Sequence, residues 1–207
     1  MPDLNSIFYI IVLLMSVVVH EVAHGYAALY FGDKTAEYAG RLTLNPLKHL
    51  DPFGSVILPL LLVISNAPFL IGWAKPVPYN PANLRDQKKG VLWVASAGIL
   101  VNLAIAVLFG LVIRISVATG VLGESFISLA SVIVLLNIVL AIFNLIPIPP
   151  LDGSKILFTL LGNSGRKLEA LSTKYSLFVL LFFIFFLWKF ISPVVYSLFS
   201  LITGLSL

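Results

Sequence analysis

Cysteine is absent from the sequence, and charged residues are scarce. Of the 207 residues only 11% are charged, whereas 59% are hydrophobic. Because a soluble domain carries about a quarter charged residues, this composition indicates an integral membrane protein in contact with the lipid bilayer. The absence of cysteine excludes disulfides, thiol catalysis and zinc sites built on cysteine. The 13 Lys and Arg residues form no cluster of the kind that binds DNA or RNA, so we expect no nucleic-acid partner.

A basic stretch of the kind that opens a signal peptide is also missing from residues 1–5, so we expect the first apolar segment to be retained. Segments long enough to cross a hydrocarbon core of about 30 Å recur along the chain. They cover residues 5–31, 90–115, 125–147 and 175–202. The predicted fold class is an all-α integral membrane protein with about four transmembrane helices, built as one membrane-embedded domain over residues 1–207. The sequence carries no signal for an oligomeric state.

Residues 32–89, between the first and second apolar segments, are rich in proline and in basic residues. Their apolar part, residues 52–71, is interrupted by proline and polar residues. This favours a re-entrant or helix-turn element packed on protein, with a crossing as the alternative. Residues 73–81 are too rich in proline for a helix and predict an extended strand or loop. The region is therefore expected to be a re-entrant or membrane-associated β/loop region.

The distribution of basic residues decides between the two topologies. If residues 52–71 do not cross, residues 32–89 and 154–174 lie on one side and hold seven and four of the 13 Lys and Arg residues. The positive-inside rule makes that side cytoplasmic. If residues 52–71 cross, the basic residues after them move to the opposite face, and Asp152 lies far from His24. We therefore favour four crossings of a bacterial or archaeal cell membrane.

The first apolar segment contains the pattern H-E-x-x-H, as His20-Glu21-Val22-Ala23-His24. Residues at i and i+4 share one face of a helix, so both imidazoles can bind the same metal ion. Glu21 is near enough to handle a proton of an attacking water. Ionisable groups at membrane depth are costly unless they serve a function, so the pattern predicts a metal site.

A hydrolytic zinc site usually has three protein ligands and one open position. Asp152 is the best candidate for the third ligand, because it follows an apolar segment, is framed by prolines and by Gly153, and returns to the leaflet of His24 when the chain crosses four times. The remaining histidine, His49, is a competing metal ligand, a substrate-side group or, more commonly for such a position, an interfacial residue. Zinc at such a site lowers the pKa of a bound water to about 7 and polarises a peptide carbonyl.

Small residues recur every four positions in the second apolar segment, at Gly98, Asn102, Ala106 and Gly110. Such a stripe lets another helix approach closely. Packing is therefore one explanation for Asn102, and a polar role is the other.

Two motifs together resemble the site-2 protease family of intramembrane zinc metalloproteases. The first is His20–His24, and the second is N-x-x-P-x-x-x-L-D-G at Asn144–Gly153, in the order that the family has them. The pair Gly98 and Asn102 is similar to a further family feature, Gly-x-x-x-Asn, although Ile99 stands where the family often has proline.

The resemblance implies a zinc metalloendopeptidase that cleaves the transmembrane helices of other proteins near the cytoplasmic face. It implies Zn²⁺ bound by His20, His24 and Asp152, and Glu21 as general base. Asn144 and Asn102 would position the unwound substrate, and β-structure within residues 32–89 would pair with it as an added strand. Many relatives carry a PDZ domain between the second and third core helices, but residues 120–124 leave no room for one here.

An alternative function is that of a zinc-binding membrane protein without proteolytic activity, either a carrier or an adaptor that holds helices. A carrier needs polar groups along a whole path, whereas the ionisable cluster here lies at one depth. An adaptor has no need of Glu21 beside the two histidines. Both arguments favour the protease.

Overall fold

A computed structural model describes residues 4–57, 61–62, 64–65, 74–182 and 188–206 of the chain, which are mostly helical. The α-helices are α1 (Leu4–Tyr30), α2 (Thr35–Tyr38), α3 (Gln87–Thr119), α4 (Glu124–Leu145), α5 (Asp152–Leu161), α6 (Asn163–Phe182) and α7 (Trp188–Thr203). Short 3₁₀-helices lie at Pro46–Lys48 and Pro81–Asn83, and a π-helix lies at Pro52–Ile57.

Within the described residues, three helices are long and apolar enough to span a membrane: Ile7–Tyr30 of α1, Gln87–Thr119 and Glu124–Leu145. The chain is therefore a membrane protein, as its composition predicts. The fourth predicted span, residues 175–202, includes the end of α6 and most of the shorter apolar helix α7. Residues 183–187, between these two helices, lie outside the described residues. Four crossings stay a prediction.

The second span is longer than predicted, and a capping residue marks each of its ends. The Asp86 side chain accepts a hydrogen bond from the backbone N–H of Lys89 and caps the start of α3. Gly120 ends the helix in the left-handed conformation, with φ of 67°. The small-residue stripe of α3 is buried along its length, which confirms the predicted packing face.

Helix α3 is the centre of the bundle and packs against α1, α4, α5 and α7. The largest apolar cluster joins α3, α4 and α7, and consists of Ala106, Ile113, Ala130, Val134, Ile138, Val195 and Phe199. A polar contact joins α4 to α1, where Asn137 Nδ2 donates to Ser16 Oγ at 3.0 Å. Such a hydrogen bond between buried helices helps to fix their register.

Contacts between α1 and α3 show that the two helices run antiparallel. His20 contacts Asn102, whereas His24, further along α1, contacts Val94, earlier on α3. The chain that links the two helices therefore leaves and returns at the same end of the bundle. This is the arrangement expected if residues 52–71 make no net crossing.

The linking region contains one isolated antiparallel bridge, Leu50 to Ala74, beside a hydrogen bond from Lys75 N–H to the carbonyl of His49 at 2.8 Å. No strand is formed within the described part of this region, so the predicted β-structure is present only as that bridge. Residues 75–80 are extended, as predicted for residues 73–81. Much of the predicted re-entrant element, residues 58–60, 63 and 66–71, lies outside the described residues.

Residues 154–174, which the distribution of basic residues places on the same side as residues 32–89, are helical over almost their whole length, in α5 and α6. The physical reason is visible in α5, which buries Phe158 and its first three residues while its other side stays exposed. One buried face is enough to hold a helix of three turns against the bundle.

Candidate metal centre

The histidines of the H-E-x-x-H pattern lie on one buried face of α1. The exposed fraction is 5% for His20 and 7% for His24, and their rings meet edge to face with centroids 4.6 Å apart. The helical spacing of four residues places the two rings one turn apart. Both imidazoles are thus largely shielded from solvent, and the position suits metal ligands better than free side chains.

Asp152, the first residue of α5, completes a group of three. Its Oδ2 lies 3.1 Å from Nε2 of His20 and 3.0 Å from Nε2 of His24. One potential ligand atom from each of the three residues lies within 4.8 Å of the other two, and all three residues are buried. The structure thus brings together the two histidines and the aspartate that the sequence singles out.

The chemistry and spacing of this group fit zinc. Two imidazole nitrogens and one carboxylate oxygen are ligands that zinc prefers. Bonds of about 2.0–2.2 Å in tetrahedral directions place neighbouring ligand atoms about 3.3 Å apart. The observed separations of 3.0 and 3.1 Å are within a few tenths of an ångström of that value, and three protein ligands leave the fourth direction open.

Hydrogen bonds from the other ring nitrogen fix the orientation of each imidazole. His20 Nδ1 lies 3.1 Å from Asn102 Oδ1, and His24 Nδ1 lies 2.6 Å from the carbonyl oxygen of Val94. Both oxygens only accept, so Nδ1 is the donor of each bond, and in the neutral ring Nε2 is then the nitrogen that can bind a metal ion. Such partners hold a metal ligand in place and raise its basicity.

The residues of α3 that provide these partners lie on one face of the helix. Val94, Gly98 and Asn102 follow each other at intervals of four residues, and all three are buried. Gly98 lies directly against the ring of His20, so a Cβ atom there would overlap the ring. The stripe that the sequence assigns to helix packing is therefore also the support of the metal centre.

Asp152 is held by a tight turn and by the ammonium group of Lys155. Lys155 Nζ donates to Oδ1 at 3.0 Å, which leaves Oδ2 for the two histidines. A Cβ atom on Gly153 would overlap the backbone carbonyl of Leu145, so the glycine permits the close approach between the end of α4 and the start of α5. The Ser154 hydroxyl donates to the carbonyl of Leu151 at 2.7 Å and stabilises the same turn.

Glu21 lies next to His20 on α1 and is half-buried. Its Oε2 accepts a hydrogen bond of 2.8 Å from the backbone N–H of Val77, which belongs to the extended residues 75–80. The carboxylate is thus fixed at one oxygen by a backbone group from outside the helix bundle.

The other candidate residues lie apart from this group. Asn144 is half-buried, and its Nδ2 donates to the carbonyl of Leu140 in its own helix at 3.0 Å, so its role toward substrate stays a prediction. His49 is fully buried, and its Nε2 donates to the carbonyl of Thr43 at 2.8 Å. It does not belong to the group of three potential ligands found among the described residues.

Several functional groups were missed in the sequence. The carbonyl of Val94 and the N–H of Val77 are backbone groups, and the side chains at those positions carry no signal of their use. Lys155 could have been found, because it stands three residues after Asp152, the spacing at which side chains meet on a helix. That inference needed α5, which the polar composition of residues 154–174 concealed.

Comparison with known proteins agrees with this site. The model of peptidase family M50 matches residues 113–187. YwhC of Bacillus subtilis, named as a candidate zinc metalloprotease, is 37% identical over 187 residues, which cover 84% of this chain and 80% of YwhC. Two Rip2 proteins carry names of the same kind. The one from Mycolicibacterium smegmatis is 34% identical over 144 residues, or 68% of this chain and 52% of Rip2. That of Mycobacterium tuberculosis H37Rv is 29% identical over 172 residues, or 81% of this chain and 62% of Rip2. No solved structure matches the chain.

Membrane-spanning helices with a buried group of two histidines and one aspartate are typical of a metal-binding protein of the membrane. The chain belongs to peptidase family M50, the site-2 protease family. It is a site-2-protease-like zinc metalloprotease of the membrane, and Zn²⁺ is its cofactor. The chain spans about half the length of the Rip2 relative from M. smegmatis.

Proposed function

We propose that the chain is an intramembrane endopeptidase that hydrolyses peptide bonds within the transmembrane segments of other membrane proteins. His20, His24 and Asp152 hold the zinc ion, and Glu21 is the general base. One observation carries the proposal: Nε2 of each histidine meets Oδ2 of Asp152 at about 3 Å in a buried position on a spanning helix, next to Glu21. The whole chain, residues 1–207, forms one catalytic domain.

Bound zinc supplies a Lewis acid that polarises the scissile carbonyl and acidifies water. Glu21 takes the proton of the attacking water and passes it to the leaving amine, so that one water is consumed for each peptide bond. The Nδ1 bonds to Asn102 and to the Val94 carbonyl keep both imidazoles in the tautomer that a metal needs. We therefore assign Asn102 first to the orientation of His20, and any contact with substrate comes second.

A transmembrane substrate must unwind locally before it is cut, because the peptide groups of an intact helix are bonded to each other. Freed N–H and C=O groups then need partners within the protein. Asn144 suits this role, because its Nδ2 is used within α4 while its Oδ1 has no partner among the described residues. We propose that Asn144 Oδ1 accepts a hydrogen bond from the unwound substrate.

Removal of the metal tests the function directly. The purified chain in liposomes is expected to cut single-span peptides that carry glycine or proline in one half of the span. Chelation should abolish cleavage, and Zn²⁺ but not Mg²⁺ should restore it, because two imidazoles and one carboxylate favour zinc over magnesium. The products are identified by mass spectrometry. Cleavage that continues after the zinc content has fallen to zero contradicts the proposal.

We further propose that the metal centre lies toward the cytoplasmic side of the cell membrane. The orientation can be measured with single cysteines, since the chain has none of its own. Lys88→Cys, Gly123→Cys and Ser164→Cys all alter exposed positions. Helix α3, with 33 residues, separates the first two. A label that does not cross the membrane should reach residue 123 from outside, and residues 88 and 164 only after permeabilisation. Labelling of residues 88 and 164 from opposite sides refutes the four-crossing topology.

A further inference from the structure

Two buried charged residues outside the metal centre bind the same extended piece of chain. Asp33 is fully buried just after α1, and Arg41 is 7% exposed after α2. Both bind residues 74–80, which we call the strap. Buried charges are costly unless they are well paired, so two of them on one short segment indicate that its position matters.

Arg41 holds the first part of the strap. Its Nη2 donates to the carbonyl of Lys75 at 2.6 Å and lies 3.3 Å from that of Pro76. In addition, the backbone N–H of Lys75 donates to the carbonyl of His49. The start of the strap is therefore held through both the carbonyl and the N–H of Lys75.

Asp33 holds the last part. Its Oδ2 accepts from the N–H of Asn80 at 2.6 Å, and its Oδ1 accepts from Nδ2 of Asn83 at 2.9 Å and from Thr35. Burial raises the pKa of Asp33, but the hydrogen bonds from Thr35, Asn83 and Asn80 outweigh it and leave the pKa below its ordinary value. The group is a charged acceptor, and such hydrogen bonds are stronger than neutral ones.

The middle of the strap contacts the catalytic helix. The side chain of Val77 is buried and lies against Gly25, one turn beyond Glu21 on α1. Its N–H donates to Glu21 Oε2 at 2.8 Å. The neighbours Pro76 and Pro78 have no N–H. The sequence Pro-Val-Pro thus presents one backbone donor, and that donor faces the general base.

We propose that the strap orients Glu21 for proton transfer, with the N–H of Val77 as the positioning group and Arg41 and Asp33 as the residues that hold it in place. This inference rests on the proposed function. A carboxylate on a flexible side chain samples several orientations, and a fixed donor at Oε2 limits them and leaves Oε1 for the water proton. Pre-organisation of this kind raises the rate of the chemical step.

Most positions of the strap have no free N–H group to offer a substrate. The N–H groups of Lys75, Val77 and Asn80 are bonded within the protein, and Pro76 and Pro78 have none. Removal of the Val77 N–H should therefore affect the catalytic step more than substrate binding.

Val77→Pro removes this single donor from a segment in which proline already stands on both sides of residue 77. Val77→Ala is the matched variant, because it loses side-chain packing but keeps the N–H. We expect kcat of Val77→Pro to be about tenfold to a hundredfold below that of Val77→Ala, as for the loss of one hydrogen bond to a charged group. KM and the zinc content, at one ion per chain, should be equal in the two variants.

A second variant tests the inference if Val77→Pro does not fold. Arg41→Met releases the start of the strap without altering Val77, and should also lower kcat about tenfold or more at constant KM and zinc content. Lys34→Met, at an exposed position nearby, should behave as wild type.

Equal kcat in Val77→Pro and Val77→Ala overturns the inference, and so does a fall in kcat that merely follows a fall in zinc content. Wild type and Glu21→Gln, measured in parallel, separate this failure from a failure of the proposed function. If Glu21→Gln is inactive while the two Val77 variants are equal, only the role of the strap is wrong. If Glu21→Gln is as active as wild type, the proposed function fails as well.

Discussion

Replacement of Glu21 by glutamine is expected to abolish peptide hydrolysis while zinc stays bound. Glutamine has the shape of glutamate, and its amide oxygen can still accept from the N–H of Val77. It cannot take a proton from water, so the general-base contribution, typically about 10²–10⁴-fold in rate, is lost. The side chains of His20, His24 and Asp152, the proposed zinc ligands, are unchanged. Single-turnover cleavage of a transmembrane peptide measures the loss, and elemental analysis measures the zinc.

A matched control for this variant is Glu37→Gln, which makes the same change at an exposed position on α2. It should retain the activity of wild type. Full activity in Glu21→Gln contradicts the assignment of the base. Uptake of zinc into vesicles that survives Glu21→Ala, without any cleavage of peptide, supports the carrier that the sequence leaves as the alternative.

The histidine pair was predictable because its geometry is local. A spacing of four residues on a helix decides that His20 and His24 share a face, and no tertiary information is needed. Asp152 lies 132 residues from His20, and it was found from its motif and from the topology. The structure places it within hydrogen-bond distance of both histidines, although metal binding by these residues stays a proposal to be tested.

Asn102 shows where sequence reasoning is incomplete. The spacing and the resemblance suggested a packing residue or a contact to substrate, whereas the structure places its oxygen on His20. A buried amide bonds with whichever polar group faces it, and that group is set by the crossing of α1 and α3. The backbone contacts of Val94 and Val77 are less predictable still, since every residue except proline carries the same N–H and C=O groups.

The fold was predicted best where hydrophobicity alone determines it. Three spans follow from long apolar runs, and the buried face of α3 follows from its small residues. Helix α5 was missed because it is short and amphipathic, and a polar stretch with one buried face reads as a link. The extended strap was expected from its prolines, but the charges that hold it, on Asp33 and Arg41, lie more than thirty residues earlier in the chain.

Gly98→Ala is expected to remove zinc from the site without altering any ligand. A Cβ atom at residue 98 would overlap the His20 ring, at 2.5 Å from Nε2 and 2.6 Å from Nδ1. Real Cβ contacts do not approach so closely, so the ring or the whole of α1 must move away from α3. The His20 bond to Asn102 is lost with that movement. Loss of such a supporting partner lowers metal affinity by about 10–100-fold. Because Gly98→Ala also displaces the His20 ring itself, we expect the loss of zinc affinity to reach or exceed the upper end of that range.

Gly110→Ala is the matched control, since Gly110 belongs to the same buried stripe of α3. Its Cβ atom would overlap Cγ2 of Ile202 in α7, away from the metal centre. We expect this variant to lower the melting temperature but to keep the zinc affinity of wild type, because the strain falls on the contact between α3 and α7. Zinc affinity is measured by competition with a chromophoric chelator. Wild-type affinity in Gly98→Ala refutes the role of this glycine, and equal zinc loss in both variants means that the bundle, and not the His20 ring, has been disturbed.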